Sequence, residues 1–187
     1  MPSPSERPKI DFVLGGARSG KSRLAQTRAE ASGLIPVLVA TATAGDAEMA
    51  ERIARHRAER DARWLTVEEP IDLAGALRRE ARPDRILVVD CLTLWLTNRM
   101  FAADHVPPED VDAAGRALAA SLPELAGPVV LVSNEVGLGI VPDNALARRF
   151  RDHQGRLNQT VAAVADRVTF VAAGLPLVLK GRFPEEM

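Results

Sequence analysis

Gly15 and the triplet Gly20-Lys21-Ser22 stand at the spacing G-x-x-x-x-G-K-[ST], within the run Gly15-Gly16-Ala17-Arg18-Ser19-Gly20-Lys21-Ser22. The chemistry of that spacing is phosphate binding. Glycine permits the torsions of a tight loop and lets backbone N–H groups approach phosphate oxygens closely. A helix that follows aims its positive end at the same oxygens. Lys21 then reaches the outer phosphates, and the Ser22 hydroxyl is a ligand for Mg²⁺. The bland alternative is a glycine turn with a surface lysine. The apolar run "IDFVL" before the loop and a helix beginning near Lys21 supply the strand–loop–helix setting that phosphate binding requires.

A second chemical position is Asp90, the last residue of "RILVVD". An acid at the end of a buried strand sits at the carboxyl edge of the sheet, where it can hold Mg²⁺ directly or through water. A merely solvated strand-end aspartate is the alternative.

Of the three histidines, His105 falls in the proline loop "AADHVPPED" and reads as solvated, and His153 in "RRFRDHQGR" reads as surface or interface. His56 has different neighbours. Arg52, His56 and Arg60 are four residues apart and share one helix face, beside Met49 and Ile53. Flanking guanidinium groups attract polyphosphate and disfavour imidazolium, and a neutral imidazole is a competent nucleophile toward phosphorus. A half-buried histidine that only packs its helix fits the same pattern.

These residues must be held by a scaffold, and its elements alternate. Strands are expected at "IDFVL", "IPVLVATAT", "WLTVEEP", "RILVVD" and "PVVLVSN", with "VTFVAAG" and "PLVLK" as a closing pair of strands, a candidate hairpin. Helices are expected after the glycine loop, over "DAEMAERIARHRAER" (capped by Asp46), "IDLAGALRREA", "CLTLWLTNRMF" and "VDAAGRALAASLPELAG", and in the long stretch from Asp143. Strand–helix alternation predicts a doubly wound α/β fold with a mostly parallel sheet and helices on both faces. Residues 1–9 read as a flexible polar leader and residues 10–187 as one nucleotide-binding catalytic domain.

Composition narrows the classes. Twenty-four Lys and Arg against 25 Asp and Glu give a net charge of −1, which argues against a nucleic-acid binder. The single cysteine, Cys91, excludes an internal disulfide and fits a reducing compartment. No apolar run has the length of a membrane span or a signal peptide, so a cytoplasmic setting without membrane insertion is expected.

The order of motifs carries a resemblance. "LGGARSGKSRLA", "VATATAGDAEMAERIARHRAER", "VVDCLTLWLTN" and "LVSNEVGLGIVPDNALARRFRDHQGRLNQ" follow one another. Together they resemble the bifunctional adenosylcobinamide kinase / adenosylcobinamide-phosphate guanylyltransferase family, from about Ile10 to Lys180. The resemblance implies a RecA-like P-loop fold and two reactions. Adenosylcobinamide would be phosphorylated with ATP or GTP, and GMP would then pass from GTP to the product, giving adenosylcobinamide-GDP. The family's GMP-histidine nucleophile falls on His56. Nucleotide contacts are implied for Gly15 to Ser22, for Ala40, Thr41 and Ala42, and for Arg57, Ala58, Glu59 and Arg60, with Glu68 and Asp90 completing the site. Mg²⁺ is the implied cofactor, on Ser22 and Asp90, and a homo-oligomer, including a trimer, the implied assembly. Arg18 adds a further positive charge. Aromatic residues are only 4%, so no aromatic cluster is at hand to clasp a corrin ring. The loop "NEVGLGIVP" either lines the site, with Asn134 and Glu135 leaving a strand end, or is a stiff structural connection. The competing functions are a small-molecule kinase without a covalent intermediate and a RecA-like regulatory or motor NTPase.

Overall fold

The computed structural model describes residues 9–42, 63–101 and 108–181. The expected helix with Asp46, Met49, Arg52, His56 and Arg57 to Arg60 lies outside the described residues, as does His105. Elements follow in the order β1 (Ile10–Gly15), α1 (Lys21–Ala31), β2 (Ile35–Ala40), β3 (Leu65–Glu68), α2 (Leu73–Glu80), β4 (Arg85–Asp90), α3 (Leu92–Phe101) and α4 (Pro108–Ser121). A 3₁₀ turn (Leu122–Glu124), β5 (Val129–Asn134), α5 (Ala145–Val164), β6 (Arg167–Ala172) and β7 (Leu175–Lys180) complete the chain.

The strands form one seven-stranded sheet in the order β3-β2-β4-β5-β1-β6-β7. All neighbours are parallel except β6 and β7, which are antiparallel. The expected mostly parallel α/β sheet is therefore present, with β5 between the strand that feeds the glycine loop and the strand that ends in Asp90.

Central strands are apolar throughout because both faces are covered. Phe12, Val37, Leu87 and Leu131 pack on one face against Leu77 of α2, Trp95 of α3, Leu118 of α4 and Leu157 of α5. Val13, Leu38, Val88, Val130 and Val132 pack on the other against Ala25 and Ala29 of α1 and Trp64. The small side chains of α1 let that helix lie close to the sheet.

One charge breaks the apolar reading of "IDFVL". Asp11 is buried in β1 and accepts from Arg28 Nη1 of α1 at 3.0 Å and from Arg167 Nε of β6 at 3.1 Å. Arg28 Nη2 also donates to Thr169 Oγ1 at 3.0 Å. Burial pulls the Arg28 pKa below its ordinary value, against the opposing pull of the Asp11 carboxylate. The cluster ties α1, β1 and β6 together at the amino end of β1, the end away from the glycine loop.

Helix α4 begins at Pro108, inside the stretch expected to be loop. Proline suits the first helical position, where its missing N–H has no partner to lose. The closing hairpin is as expected, with a two-residue turn of Ala173 and Gly174, both at positive φ, the type I′ pattern that matches strand twist.

Candidate functional site

The parallel register brings the carboxyl ends of the strands level. Ala40 stands opposite Glu68 on one side and Asp90 on the other, and Gly15 stands opposite Asn134 and Val171. Ligands of open α/β sheets bind along this edge. Gly15 to Ser22, Ala40, Thr41, Glu68 and Asp90 are thus gathered on one side of the molecule. Glu68 is exposed on the edge strand, two strands beyond Asp90.

The glycine loop is shaped by steric necessity. A Cβ on Gly15 would meet the carbonyl of Val171 at 2.5 Å, so no side chain fits. Gly20 lies at φ 98° and stands at the N-terminus of α1, where as a glycine it supplies no side-chain cap. Arg18, also at positive φ, and Ala17 are exposed at the loop's crest. Lys21 is 8% exposed, and its Nζ donates to the carbonyl of Gly16 at 3.0 Å, folded over the loop. Ser19 Oγ is buried with no hydrogen-bond partner among the described residues. A loop with no room for a side chain at Gly15 and an orphaned hydroxyl at Ser19 fits a phosphate, whose oxygens accept from such groups.

Ser22 Oγ lies 3.4 Å from Asp90 Oδ1. A hydroxyl beside a carboxylate is a hard-oxygen pair, and Mg²⁺ with a nucleotide needs only one or two protein ligands plus phosphate oxygens. The residues fit that ion. Beyond Asp90 the chain is pinned by Thr41, whose hydroxyl donates to the Cys91 carbonyl at 2.8 Å and accepts from the Cys91 N–H at 2.9 Å. Asn98 Nδ2 donates to the Thr41 carbonyl at 2.7 Å and to the Pro70 carbonyl at 3.2 Å. The segment Ala40-Thr41-Ala42 is therefore held beside Asp90 from both sides. Burial, then the Asp90 carboxylate, push the Cys91 thiol pKa up.

The tip of β5 is fixed by residues that the sequence reading did not single out. Thr93 Oγ1 accepts from the Asn134 N–H at 2.8 Å, and Asn158 Nδ2 of α5 donates to the Asn134 carbonyl at 3.1 Å. Gln154 Nε2 donates to Ser133 Oγ at 2.9 Å, and Ser133 donates to Asn158 Oδ1 at 2.8 Å. The available signal was a pair of amides four residues apart, Gln154 and Asn158, on the same face as Leu157 and Val161. Polar groups in an apolar stripe must be hydrogen-bonded.

His153 corrects the expectation of a surface or interface residue. It is 3% exposed, with Nδ1 at 2.7 Å from Asp112 Oδ1 of α4, and Arg156 Nε donates to Asp112 Oδ2 at 2.9 Å. A cavity of about 170 Å³ beside it is lined by Leu96, Val111, Arg116 and Thr160 among others and shares no residue with the strand-end row.

The family model "Cobinamide kinase / cobinamide phosphate guanyltransferase" matches residues 11–179. This chain belongs to that family. It is accordingly a transferase with the two activities of the family's description. It is 55% identical over 171 residues to the bifunctional adenosylcobalamin biosynthesis protein CobP of Pseudomonas aeruginosa, covering 91% of this chain and 97% of that one. It is 40% identical over 179 residues to the bifunctional adenosylcobalamin biosynthesis protein CobU of Escherichia coli, covering 90% and 98%. Among solved structures, the P4 protein from bacteriophage phi6 in complex with ADP aligns over 94% of this chain and 55% of its own, at 15% identity and a TM-score of 0.45. That likeness is too distant to bear on function. No helix among the described residues is long and apolar enough to cross a membrane.

Proposed function

We propose that the protein acts in cobalamin biosynthesis, phosphorylating adenosylcobinamide with ATP or GTP and then transferring GMP from GTP to adenosylcobinamide phosphate through a GMP-histidine on His56. The observation that carries the reading is the meeting of Lys21, Ser22 and Asp90 at one sheet edge, in a chain of this family.

In the first reaction the aminopropanol hydroxyl attacks the γ-phosphorus, the new O–P bond forms, and the nucleoside diphosphate leaves. In the second, a neutral His56 nitrogen attacks the α-phosphorus of GTP and pyrophosphate leaves. The phosphate oxygen of the acceptor then displaces the histidine, which re-forms as a free imidazole. Both leaving groups gain negative charge as they depart. Stabilising that charge is the main lever in phosphoryl transfer. Lys21 and the loop amides supply this for the triphosphate. Arg57 and Arg60 share the segment of His56 and are assigned, with Ala58, Glu59 and Glu68, to the nucleotide. Mg²⁺, when bound, neutralises phosphate charge, and Ser22 and Asp90 are the residues that would hold it. The assembly is a homo-oligomer, with a trimer the state that the family resemblance favours.

Incubation with GTP labelled in the α-phosphate tests the covalent route. An acid-labile label that maps to the His56 peptide and is lost in His56→Ala supports it. A label that persists in His56→Ala sinks it, and turnover with no label at all favours direct transfer.

A further inference from the structure

We propose that the loop over 136–142 is the surface on which the corrin ring of the acceptor rests, an inference that depends on the cobinamide reading above. Leu138 is 82% exposed, Ile140 97% and Val141 57%, three apolar side chains within four positions. Contiguous exposed apolar surface on a soluble domain marks a contact site more often than isolated exposed residues do.

The loop is anchored at both ends, yet its apolar side chains do not collapse onto the core. At its start, the Glu135 N–H donates to the Gly15 carbonyl at 3.1 Å, and Glu135 Oε1 accepts from the Gly137 N–H at 2.5 Å. At its end, Arg148 Nη1 donates to the carbonyls of Pro142 at 2.9 Å and Asp143 at 2.6 Å, and Asn144 caps α5. The anchors hold Leu138, Ile140 and Val141 out toward solvent.

Position selects the occupant. The loop leaves β5 at Asn134, the register partner of Gly15, where the phosphate cradle begins. An acceptor whose hydroxyl reaches a phosphate in that cradle must lay the rest of its bulk on what borders the cradle. A corrin is a flat macrocycle whose rim carries methyl groups and amide arms. Leu138, Ile140 and Val141 suit the methyl-bearing rim, and the exposed backbone at Gly137 and Gly139 offers hydrogen bonds to amides. Aliphatic contact of this kind needs no aromatic clasp.

The test uses the full-length protein and the double variant L138S/I140S, whose altered side chains are exposed and leave the core intact. Adenosylcobinamide binding is followed by equilibrium dialysis and the visible absorption of the corrin, GTP binding by a fluorescent analogue, and mass by light scattering. The variant is expected to bind adenosylcobinamide about tenfold or more weakly while GTP affinity stays within about twofold, since each apolar side chain buried by a ligand is worth roughly a power of ten. Ile140→Leu is expected to retain binding. Unchanged corrinoid affinity in L138S/I140S overturns the assignment of the loop alone. A changed mass places a second copy of the chain on the loop and also overturns it. A wild-type protein that binds no adenosylcobinamide overturns the functional reading and this inference together.

Discussion

The N–H of Gly174, in the turn between β6 and β7, donates to the carbonyl of Ser19 at 2.9 Å. The hairpin tip thus props the glycine loop from the side opposite β5. A Cβ on Gly20 would lie 3.2 Å from the Gly174 Cα, and Gly20 is already at φ 98°. Gly20→Ala therefore meets both torsional strain and a backbone neighbour. It is expected to cost about 1–3 kcal/mol in urea unfolding. Gly16 has no atom within 4 Å of its Cβ position and no positive φ, so Gly16→Ala is expected to change stability by less than about 0.5 kcal/mol. Equal destabilisation by the two would contradict this account of the loop.

Ser22 and Asp90 are brought within 3.4 Å by α1 packing on the sheet. Asp90→Asn keeps the shape and removes the charge. Both transfer rates are expected to fall about 100-fold to 1000-fold, the loss typical of one electrostatic group at a phosphoryl-transfer site. The Mg²⁺ concentration for half-maximal rate should rise, and chelation with EDTA should abolish both reactions in the wild type. An Mg²⁺ titration that is the same for Asp90→Asn and wild type would remove Asp90 from the metal site.

The cradle and Asp90 were legible because each is a local signal, fixed by spacing or by a strand's end. Strand–helix alternation likewise declared the sheet. What escaped notice depended on partners far away in sequence. His153 reads as surface or interface among its charged neighbours, and only the packing of α4 on α5 brings Asp112 against it. Asp11 looks like a blemish in an apolar strand until Arg28 and Arg167 close on it. Thr93 and Asn158 converge on Asn134 from two helices; the amide pair Gln154 and Asn158 in an apolar stripe signals that partners exist, but not that one of them is Asn134. The start of α4 at Pro108 was hidden because proline also signals a loop.

Asp11 gives a stability prediction. Its side chain is 3% exposed, and those of Arg28 and Arg167 are 12% and 10%. Removing one partner of a buried ion pair leaves the other charge without compensation, at about 3–5 kcal/mol. Asp11→Ala is expected to lose that much, read as a lower urea midpoint. Asp11→Asn, which keeps hydrogen-bond acceptance, should lose less. A change below about 1 kcal/mol for Asp11→Ala would show that water compensates the two guanidinium groups.

Cys91 gives a prediction in pH. The thiol is buried next to Asp90, and burial first, then the Asp90 charge, raise its pKa, against weaker opposing effects from the Leu94 and Thr93 N–H groups and Lys21. A group whose folded pKa is raised contributes stability that is complete below the unfolded value, near 8.5 for a thiol, and is lost as pH climbs toward the folded value. The wild type is therefore expected to lose stability as pH rises above about 8.5, and Cys91→Ala to lose less over the same range. The chain has no tyrosine and no other cysteine to titrate there. The same raised pKa keeps the thiol protonated at neutral pH, and the thiolate is the reactive form. Iodoacetamide at pH 7.5 should accordingly leave native Cys91 largely unmodified and alkylate it readily in urea. Rapid native alkylation, or parallel pH–stability curves for wild type and Cys91→Ala, would mean that this thiol ionises as freely as an exposed one.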